Sequence, residues 1–346
     1  MKLHRSLLLL LTSAILIAPA LRADTIYVAN FYGGYIQKYT TSGSGTLFAN
    51  SLSAPEQMTF DSSGNLLSAN YGESRVMLFT QNGQRFVYVV TPGGADGVAI
   101  DSAGNIYIAD YDGGTIWKTD PSDPTNAVAF VTGVYGAVAL AFDSSGNLYV
   151  TSHSASSVQK YSANGTFISQ ITGFTDPAGV AVDRDGNVYV ADYGANVIKK
   201  YSASGVFISN VGSGVSQPYM IAFDSKTNLF VSNYGNNNVL KIAPDGTTTT
   251  FASISSPSSI AASPGLNLTG AITVTNNPPP STNPPPTTNP PPVVTNVPPA
   301  HGRTNDIPSY HPPRGYTNAP AARTNRVHGI SHKPPGRPHG QAYGLQ

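Results

Sequence analysis

Residues 177–205, PAGVAVDRDGNVYVADYGANVIKKYSASG, decide the fold, because five other versions of this stretch occur along the chain. The strand NVYV that begins at Asn187 recurs as TIYV, NLLS, NIYI, NLYV and NLFV, which begin at residues 25, 65, 105, 147 and 228. Successive copies therefore begin 40, 40, 42, 40 and 41 residues apart. A fixed period in this range is typical of repeat architectures, in which each unit buries its apolar face against its neighbours.

Each copy has the pattern of four short strands. In the fifth copy these are residues 179–182, 187–191, 197–201 and 206–209. Short strands with turn residues at both ends indicate an antiparallel meander.

An acidic residue opens the first turn of the repeat. These residues are Asp61, Asp101, Asp143, Asp183 and Asp224. We interpret them as turn formers rather than calcium ligands, because Asp accepts backbone N–H groups two residues further on, and glycine then supplies the positive φ that closes the turn. Thr227 replaces that glycine in the last copy, so we predict a different turn geometry there.

Six such units in series predict an all-β fold, a six-bladed β-propeller of four-stranded antiparallel blades. The chain reaches its first copy at the second strand of a blade, and residues 259–263 form a first strand that no second strand follows. Pairing of these two segments would complete the sixth blade and remove the exposed edges of an open array. The ring is thus predicted to close through its N- and C-terminal strands.

Residues 177–205 and residues 143–165, DSSGNLYVTSHSASSVQKYSANG, resemble the consensus of the NHL repeat family. The resemblance covers residues 24–265, and the third copy, interrupted by Pro121-Ser-Asp-Pro124, resembles the consensus least. The resemblance implies the propeller fold. It implies no single function, because NHL propellers serve as binding platforms, as structural domains and in a few cases as lyases.

The N-terminal segment, residues 1–23, is typical of a secretory signal peptide. Lys2 and Arg5 precede an apolar run at 7–17, and small residues follow it. The run is shorter than the roughly 20 residues that span a bilayer, so we predict no membrane span in the mature protein and a secreted, periplasmic or cell-surface location. The chain has no cysteine, which excludes disulfides and thiolate metal sites.

The C-terminal segment, residues 277–346, differs in composition from the propeller segment, residues 24–276. Its NPPP units at 277, 283 and 289 favour extended polyproline II, so we predict a proline-rich, low-complexity tail. The propeller segment has 10 Lys+Arg and 17 Asp+Glu, a net charge of −7, whereas the tail has 6 and 1, a net charge of +5. The acidic propeller argues against nucleic acid as a partner. The basic tail suits either anionic cell-surface polymers or a solvated, disordered end.

A polar residue followed by an aromatic one comes after the second strand of most copies. The pairs are Asn30-Phe31, Asn70-Tyr71, Asp110-Tyr111, Asp192-Tyr193 and Asn233-Tyr234, with Ser152-His153 in the fourth copy. In a propeller these loops emerge on one face around the axis. These pairs and His153 are therefore candidate contacts for a protein, peptide or carbohydrate ligand, because flat rings and hydroxyl groups suit such ligands. In the alternative interpretation, the polar residues cap strand ends and the aromatic residues shield blade junctions.

A second set of candidates precedes the innermost strands. The segments EQMTFD at Glu56 and ADGVAID around Asp96 resemble the metal-binding segments of gluconolactonase-like propellers. The resemblance implies that these two carboxylates could hold Ca²⁺, which prefers several oxygen ligands. The further asparagine ligand of that family is missing, because the matching positions are Ala137, Ala178, Tyr219 and Ser258.

The number of histidines argues against a lyase. The NHL-type amidating lyases and the streptogramin-type lyases, which this fold resembles, need several histidines. His153 is the only histidine within residues 24–276, and a lone imidazole cannot build a multi-histidine metal site. We therefore predict an exported, non-catalytic binding or scaffold propeller without a resident cofactor, whose ligand docks on the face of the axial loops. The alternatives are a Ca²⁺-dependent, lactonase-like hydrolase and a purely structural cell-envelope protein.

Overall fold

The computed structural model describes residues 24–263, which contain 24 β-strands and two short 3-10 segments, Tyr71–Glu73 and Tyr234–Asn236. The predicted signal peptide and proline-rich tail lie outside the described residues. Within 24–263 no helix has the length and apolar character needed to cross a membrane.

The strands are short and follow one another with the period of the sequence repeat. They are β1 Ile26–Asn30, β2 Tyr35–Tyr39, β3 Gly45–Ala49, β4 Pro55–Phe60, β5 Leu66–Asn70, β6 Arg75–Phe79, β7 Arg85–Val90, β8 Ala95–Ile100, β9 Ile106–Asp110, β10 Thr115–Asp120, β11 Asp123–Thr132, β12 Ala137–Phe142, β13 Leu148–Ser152, β14 Ser157–Tyr161, β15 Phe167–Ile171, β16 Pro177–Val182, β17 Val188–Asp192, β18 Val197–Tyr201, β19 Phe207–Val211, β20 Pro218–Phe223, β21 Leu229–Asn233, β22 Asn238–Ile242, β23 Thr248–Ser253 and β24 Pro257–Ala262.

These strands form six four-stranded antiparallel sheets, which we call blades I to VI. Blade I has the order β24-β1-β2-β3, and blades II to VI follow as β4–β7, β8–β11, β12–β15, β16–β19 and β20–β23. The innermost strands β24, β4, β8, β12, β16 and β20 each contact the next, and β20 contacts β24, so they form a closed ring. The six-bladed propeller predicted from the repeat is confirmed.

The ring closes through the two ends of the described chain, as the sequence predicts. Ile26 lies opposite Ala262 and Val28 opposite Ile260 in the β1–β24 pairing. The Ser263 amide donates to the Thr25 carbonyl oxygen at 2.9 Å. Because the first strand pairs with the last, neither strand has an unpaired edge where the ring closes.

Apolar cores lie between neighbouring blades. Between blades III and IV, for example, Tyr107 and Ile116 belong to the same buried cluster as Leu140 and Leu148. The second strand of each blade is buried on both faces, because it faces a neighbouring blade on either side. This explains why the strands of the repeat are almost continuously apolar rather than alternating.

A glutamine joins three innermost strands across the axis. The pairing of β4 with β5 is interrupted between Pro55 and Met58, and Gln57 lies in that interruption. Its Oε1 accepts the amides of Val98 at 3.0 Å and Leu140 at 2.9 Å, and its Nε2 donates to the Leu140 carbonyl at 2.8 Å. Gln57 therefore satisfies backbone groups of β8 and β12 that their own blades leave free.

The turns between first and second strands have the chemistry expected from the sequence. In blade V, Asp183 accepts the amides of Asp185 at 3.0 Å and Asn187 at 2.8 Å, and the Asn187 side chain donates to it at 2.8 Å. The other turn aspartates accept equivalent bonds. Their carboxylates are thus used by the turns.

The prediction of a different turn at Thr227 is wrong. Thr227 has φ +64° and donates its amide to the Asp224 carbonyl at 3.1 Å. Gly186 does the same in blade V, with φ +82° and a bond of 3.0 Å to Asp183. The hydrogen bonds of Asp224 therefore impose the left-handed conformation on a β-branched residue that ordinarily avoids it.

Candidate functional site

The loops between second and third strands emerge together on one side of the propeller, which we call the loop face. The opposite side, which carries the Asp-x-x-Gly turns, is the turn face. The aromatic residues predicted from the sequence all lie at the start of these loops, directly after β1, β5, β9, β13, β17 and β21.

Neighbouring loops bring these aromatic rings into contact. The ring centroids of Tyr71 and Tyr111 are 6.2 Å apart, and those of Tyr111 and His153 are 6.4 Å apart. Between the neighbouring blades V and VI, the ring centroids of Tyr193 and Tyr234 are 6.0 Å apart. We call Phe31, Tyr32, Tyr71, Tyr111, His153, Tyr193 and Tyr234 the aromatic belt.

Blade I contributes one belt residue that the sequence analysis missed. Tyr32 follows Phe31, with ring centroids 5.1 Å apart, and has 65% of its surface exposed. A side-chain hydrogen bond joins it to Tyr234 of blade VI. The repeat pattern places one aromatic residue directly after each second strand, so it gives no signal for the second aromatic residue of the Phe31-Tyr32 pair.

The belt residues differ in how far a ligand could reach them. Phe31, Tyr71, Tyr111, His153 and Tyr234 are half-buried, which leaves part of each ring accessible. Tyr193 has only 4% of its surface exposed and packs against Tyr219 at 6.0 Å. Tyr193 therefore supports its neighbours rather than offering a surface.

The hydroxyls of Tyr71, Tyr111, Tyr193 and Tyr234 stay protonated over the physiological pH range. Burial raises the pKa of Tyr111, and the nearby Asp96 and Asp176 carboxylates raise it further. Burial also raises the pKa of Tyr71, with the Asp112 carboxylate next in effect. For Tyr193 the pKa rises to about 12, again chiefly through burial. Each hydroxyl is thus a hydrogen-bond donor as well as an acceptor.

His153 is the one titratable side chain of the belt near neutral pH. Its Nδ1 forms a short contact with Oδ1 of Asp176, which belongs to the loop before β16. The hydrogen bond to Asp176 raises the pKa of His153, although burial opposes this shift. The pair links blades IV and V at the loop face.

The polar residues that precede the aromatic ones have structural contacts. Asp192 is fully buried and accepts the Asp176 amide at 2.9 Å and the Lys199 ammonium at 2.8 Å. Asn233 accepts the Ser216 amide at 2.7 Å. Asn30, Asn70 and Asp110 are also buried, and donate or accept within their own loops or with a neighbouring loop. Direct ligand contact by these five residues would require the loops to open, so it stays a prediction.

Two further carboxylates lie below the belt, on neighbouring innermost strands. Glu56 on β4 and Asp96 on β8 have no exposed surface, and apart from the Tyr219 hydroxyl, which interacts with Glu56, no donor among residues 24–263 bonds their carboxyl oxygens. Burial raises the pKa of Glu56 well above its usual value; the Asp96 carboxylate raises it further and the nearby Tyr219 hydroxyl lowers it. Burial also raises the pKa of Asp96, with the Asp112 and Asp110 charges next.

The register of the innermost strands corrects one member of this inner ring. Ala137 lies opposite Ser152, just as Pro55 lies opposite Asn70. The residue equivalent to Glu56 in blade IV is therefore Val138, not Ala137. The ring at this level consists of Glu56, Asp96, Val138, Ala178, Tyr219 and Ser258.

A cation at this level would have only two charged ligands. The buried carboxyl oxygens of Glu56 and Asp96 fit a hard cation such as Ca²⁺. However, residues 24–263 contain no group of three or more His, Cys, Asp or Glu side chains placed to hold a metal ion. The residues present therefore fit calcium only in part.

The comparisons with known proteins agree with the repeat and with the fold. Residues 174–201, in blade V, match the family model of the NHL repeat. Together with the six antiparallel four-stranded blades, this match supports an NHL-repeat propeller family. No curated protein matches the chain in sequence.

Several solved structures share the fold at low sequence identity. A chain of the nidogen/laminin complex is 17% identical, with a TM-score of 0.63 over 70% of this chain and 98% of that one. Virginiamycin B lyase from Staphylococcus aureus is 14% identical, with a TM-score of 0.53 over 65% and 80%. A protein of unknown function from Bacteroides caccae is 14% identical, with a TM-score of 0.58 over 70% and 99%. At these identities the similarity shows the fold alone.

Proposed function

We propose that the protein is a binding or scaffold propeller that recognises a protein, peptide or carbohydrate ligand through the aromatic belt. The observation that carries this proposal is the contact of half-buried rings from neighbouring blades, such as Tyr71 with Tyr111 and Tyr111 with His153. Rings fixed by their neighbours lose little conformational freedom when a ligand docks on them. Their protonated hydroxyls can donate to carbonyl or sugar oxygens.

Two further facts support binding over catalysis. One neighbour in fold belongs to the nidogen/laminin complex, which is an assembly of proteins. Virginiamycin B lyase, by contrast, has a histidine-to-alanine variant described as catalytically inactive, and His153 is the only histidine among the described residues. Here that imidazole is held by Asp176, which suits a structural link between blades.

The test is a binding screen followed by belt variants. The full-length chain is screened against an oligosaccharide array and a displayed peptide library. For any ligand so found, Tyr111→Ala and Tyr234→Ala should each weaken binding about 10-fold or more, as loss of an aromatic anchor does. Phe207→Ala, on the outer strand β19 where Phe207 is 52% exposed, is the control and should bind as the wild type does. Unchanged binding by both tyrosine variants would reject the belt as the site.

A second candidate function is suggested by the buried carboxylates. We propose Ca²⁺ binding by Glu56 and Asp96, since buried carboxyl oxygens with so few hydrogen-bond donors are costly unless a cation or a proton compensates them. A bound calcium ion would supply Lewis-acid polarisation of a carbonyl group, as a lactonase-like hydrolase requires. The chain's own contribution would be to exclude water and to hold the two carboxylates close together.

The cation proposal predicts opposite effects with and without calcium. The folded pKa values of Glu56 and Asp96 lie above the unfolded ones, so the folded state binds more protons, and stability falls as pH rises from the unfolded through the folded pKa. Without divalent cations, Glu56→Gln should therefore raise the melting temperature at neutral pH. Added calcium should stabilise the wild type but not Glu56→Gln or Asp96→Asn. A wild-type melting temperature that is insensitive to millimolar calcium would remove this candidate.

We also propose that the protein is exported, with residues 1–23 removed. The basic start and short apolar run of that segment support this location. Mass spectrometry of the protein recovered outside the producing cell should show the loss of this segment. Recovery of the uncleaved chain from the cytoplasm alone would contradict it.

A further inference from the structure

Five of the six blades place an aromatic residue opposite a lysine on their second and third strands. The pairs are Tyr27–Lys38, Tyr107–Lys118, Tyr149–Lys160, Tyr189–Lys200 and Phe230–Lys241. In blade IV the Lys160 ammonium lies 4.8 Å from the centroid of the Tyr149 ring and 3.3 Å from the Asp143 carboxylate. In blade V the Lys200 ammonium likewise lies 5.0 Å from the Tyr189 ring centroid and 3.9 Å from the Asp183 carboxylate. In these two blades the turn aspartate therefore has both an aromatic wall and a cation.

Blade II lacks both partners. Leu67 lies opposite Leu78 at the matching positions of β5 and β6. The turn residue Asp61 receives hydrogen bonds from the Ser63 and Asn65 amides and from the Asn65 side chain. Among the described residues it forms no ion pair with a lysine or arginine. Asp61 thus keeps the turn carboxylate in the one blade whose second and third strands supply neither the aromatic residue nor the lysine.

The same change leaves a cleft between blades II and III on the turn face. At the next junction the Tyr107 and Phe142 rings meet at 4.9 Å, and at the junction of blades V and VI Tyr189 and Phe223 meet at 5.1 Å. Between blades II and III the equivalent positions are Leu67 and Ile100. The cleft that these smaller side chains leave has a volume of about 470 Å³ and is also lined by Asp61 and Asp101.

The electrostatics of the cleft favour a cation. Tyr88 of β7 lines it, and burial raises the pKa of this tyrosine, with the charges of Asp61 and Asp120 raising it further. The carboxylates of Asp61 and Asp101 therefore border an apolar floor formed by Leu67 and Ile100, and the charge of Asp120 acts on the same tyrosine. Such a combination suits a side chain with an apolar stem and a charged end.

We propose that this cleft binds the side chain of a lysine from a partner polypeptide. The four methylene groups would cover Leu67 and Ile100, and the ammonium would pair with Asp61 as Lys160 pairs with Asp143 in blade IV. The net charge of −7 on residues 24–276 argues for a cationic partner on electrostatic grounds. The cleft lies on the turn face, so this site is separate from the aromatic belt.

The test is a nuclear magnetic resonance titration of the full-length protein, labelled at leucine and isoleucine methyl groups, with Nα-acetyl-L-lysine methylamide. We expect saturable shifts at Leu67 and Ile100 with a millimolar dissociation constant, and no such shifts with the norleucine analogue, which lacks the ammonium. Asp61→Asn should weaken binding about 10-fold, because a charge-assisted contact is lost. Asp143→Asn is the matched control and should bind as the wild type does.

A second variant, independent of Asp61, restores the lysine of the repeat in blade II. Leu78→Lys places the chain's own ammonium at the position that Lys160 has in blade IV, so it should abolish the shifts without emptying the core. If Asp61→Asn does not fold, this variant and the norleucine analogue still decide the matter. Equal binding of the lysine and norleucine probes, binding that persists in Leu78→Lys, or the absence of saturable shifts would each overturn the proposal.

Discussion

Replacing Gln57 with alanine should destabilise the propeller by about 3–6 kcal/mol. The side-chain amide forms three hydrogen bonds with Val98 and Leu140 on two other blades, and both of those residues are almost fully buried. Leaving a buried polar group without a partner costs about 1–3 kcal/mol. The substitution leaves three backbone groups without a partner: the amides of Val98 and Leu140 and the Leu140 carbonyl oxygen. Water that enters the axial space satisfies part of this loss, which lowers the cost. The loss is large against the total stability of about 5–15 kcal/mol of a typical domain.

The assay is urea unfolding of the full-length chain, followed by the fluorescence of Trp117, the single tryptophan. Gln57→Met keeps most of the side-chain volume without the amide, so it should lose nearly as much stability as Gln57→Ala. Gln170→Ala is the control, because Gln170 is exposed on the outer strand β15. Its free energy of unfolding should change by no more than about 0.5 kcal/mol.

The result that would refute this reasoning is a small or purely steric effect. If Gln57→Ala loses no more stability than Gln170→Ala, the amide does not join the innermost strands. If Gln57→Met is as stable as the wild type, packing rather than hydrogen bonding explains any loss in the alanine variant.

Three further perturbations test the closure, a turn and the loop face. Ile260→Ala, which removes a side chain of β24 that is 3% exposed, should cost about 2–5 kcal/mol, and an unchanged urea midpoint would contradict the role of the closing strand. Thr227→Gly should gain about 0.5–1 kcal/mol by relieving a left-handed β-branched residue, and a lower melting temperature would show that the turn is unstrained. The raised folded pKa of His153 means that its pair with Asp176 stabilises the fold fully below the unfolded pKa and is lost as pH rises through the folded pKa. Asp176→Asn should therefore flatten the fall in melting temperature across that pH window, and a slope identical to that of the wild type would exclude the pair as its origin.

The repeat period and the turn chemistry were sufficient to predict the fold from the sequence. The period fixes the number of blades, and the unmatched segments at the two ends predict the β1–β24 pairing. At Thr227 the prediction was wrong, because it took account of the backbone preference of threonine but not of the hydrogen bonds that hold the turn. Five hydrogen bonds hold the Asp224 turn. The conformational preference of one substituted residue does not outweigh them.

The candidate site was predictable in position and less so in detail. Strand ends place Tyr71, Tyr111 and His153 on one face by topology alone, so their proximity follows from the register. Burial does not follow from it: Tyr193 has the same sequence context as Tyr111 but packs under its neighbours. The role of Gln57 does not follow from the sequence, because a glutamine in a strand carries no signal until the three strands around it are known.

Departures from the repeat concentrate in blades II and III. Blade V follows the consensus closely enough to match the family model. In contrast, Glu56, Gln57 and Leu78 in blade II and Asp96 in blade III have no equivalent in it, and the cleft lies between these two blades. A repeat protein needs every junction to pack, so residues that weaken a junction or bury charge are costly to stability. Their clustering in one sector argues that this sector carries specific interactions. Substitutions there should change binding more often than substitutions in blade V outside the aromatic belt, which should change stability alone.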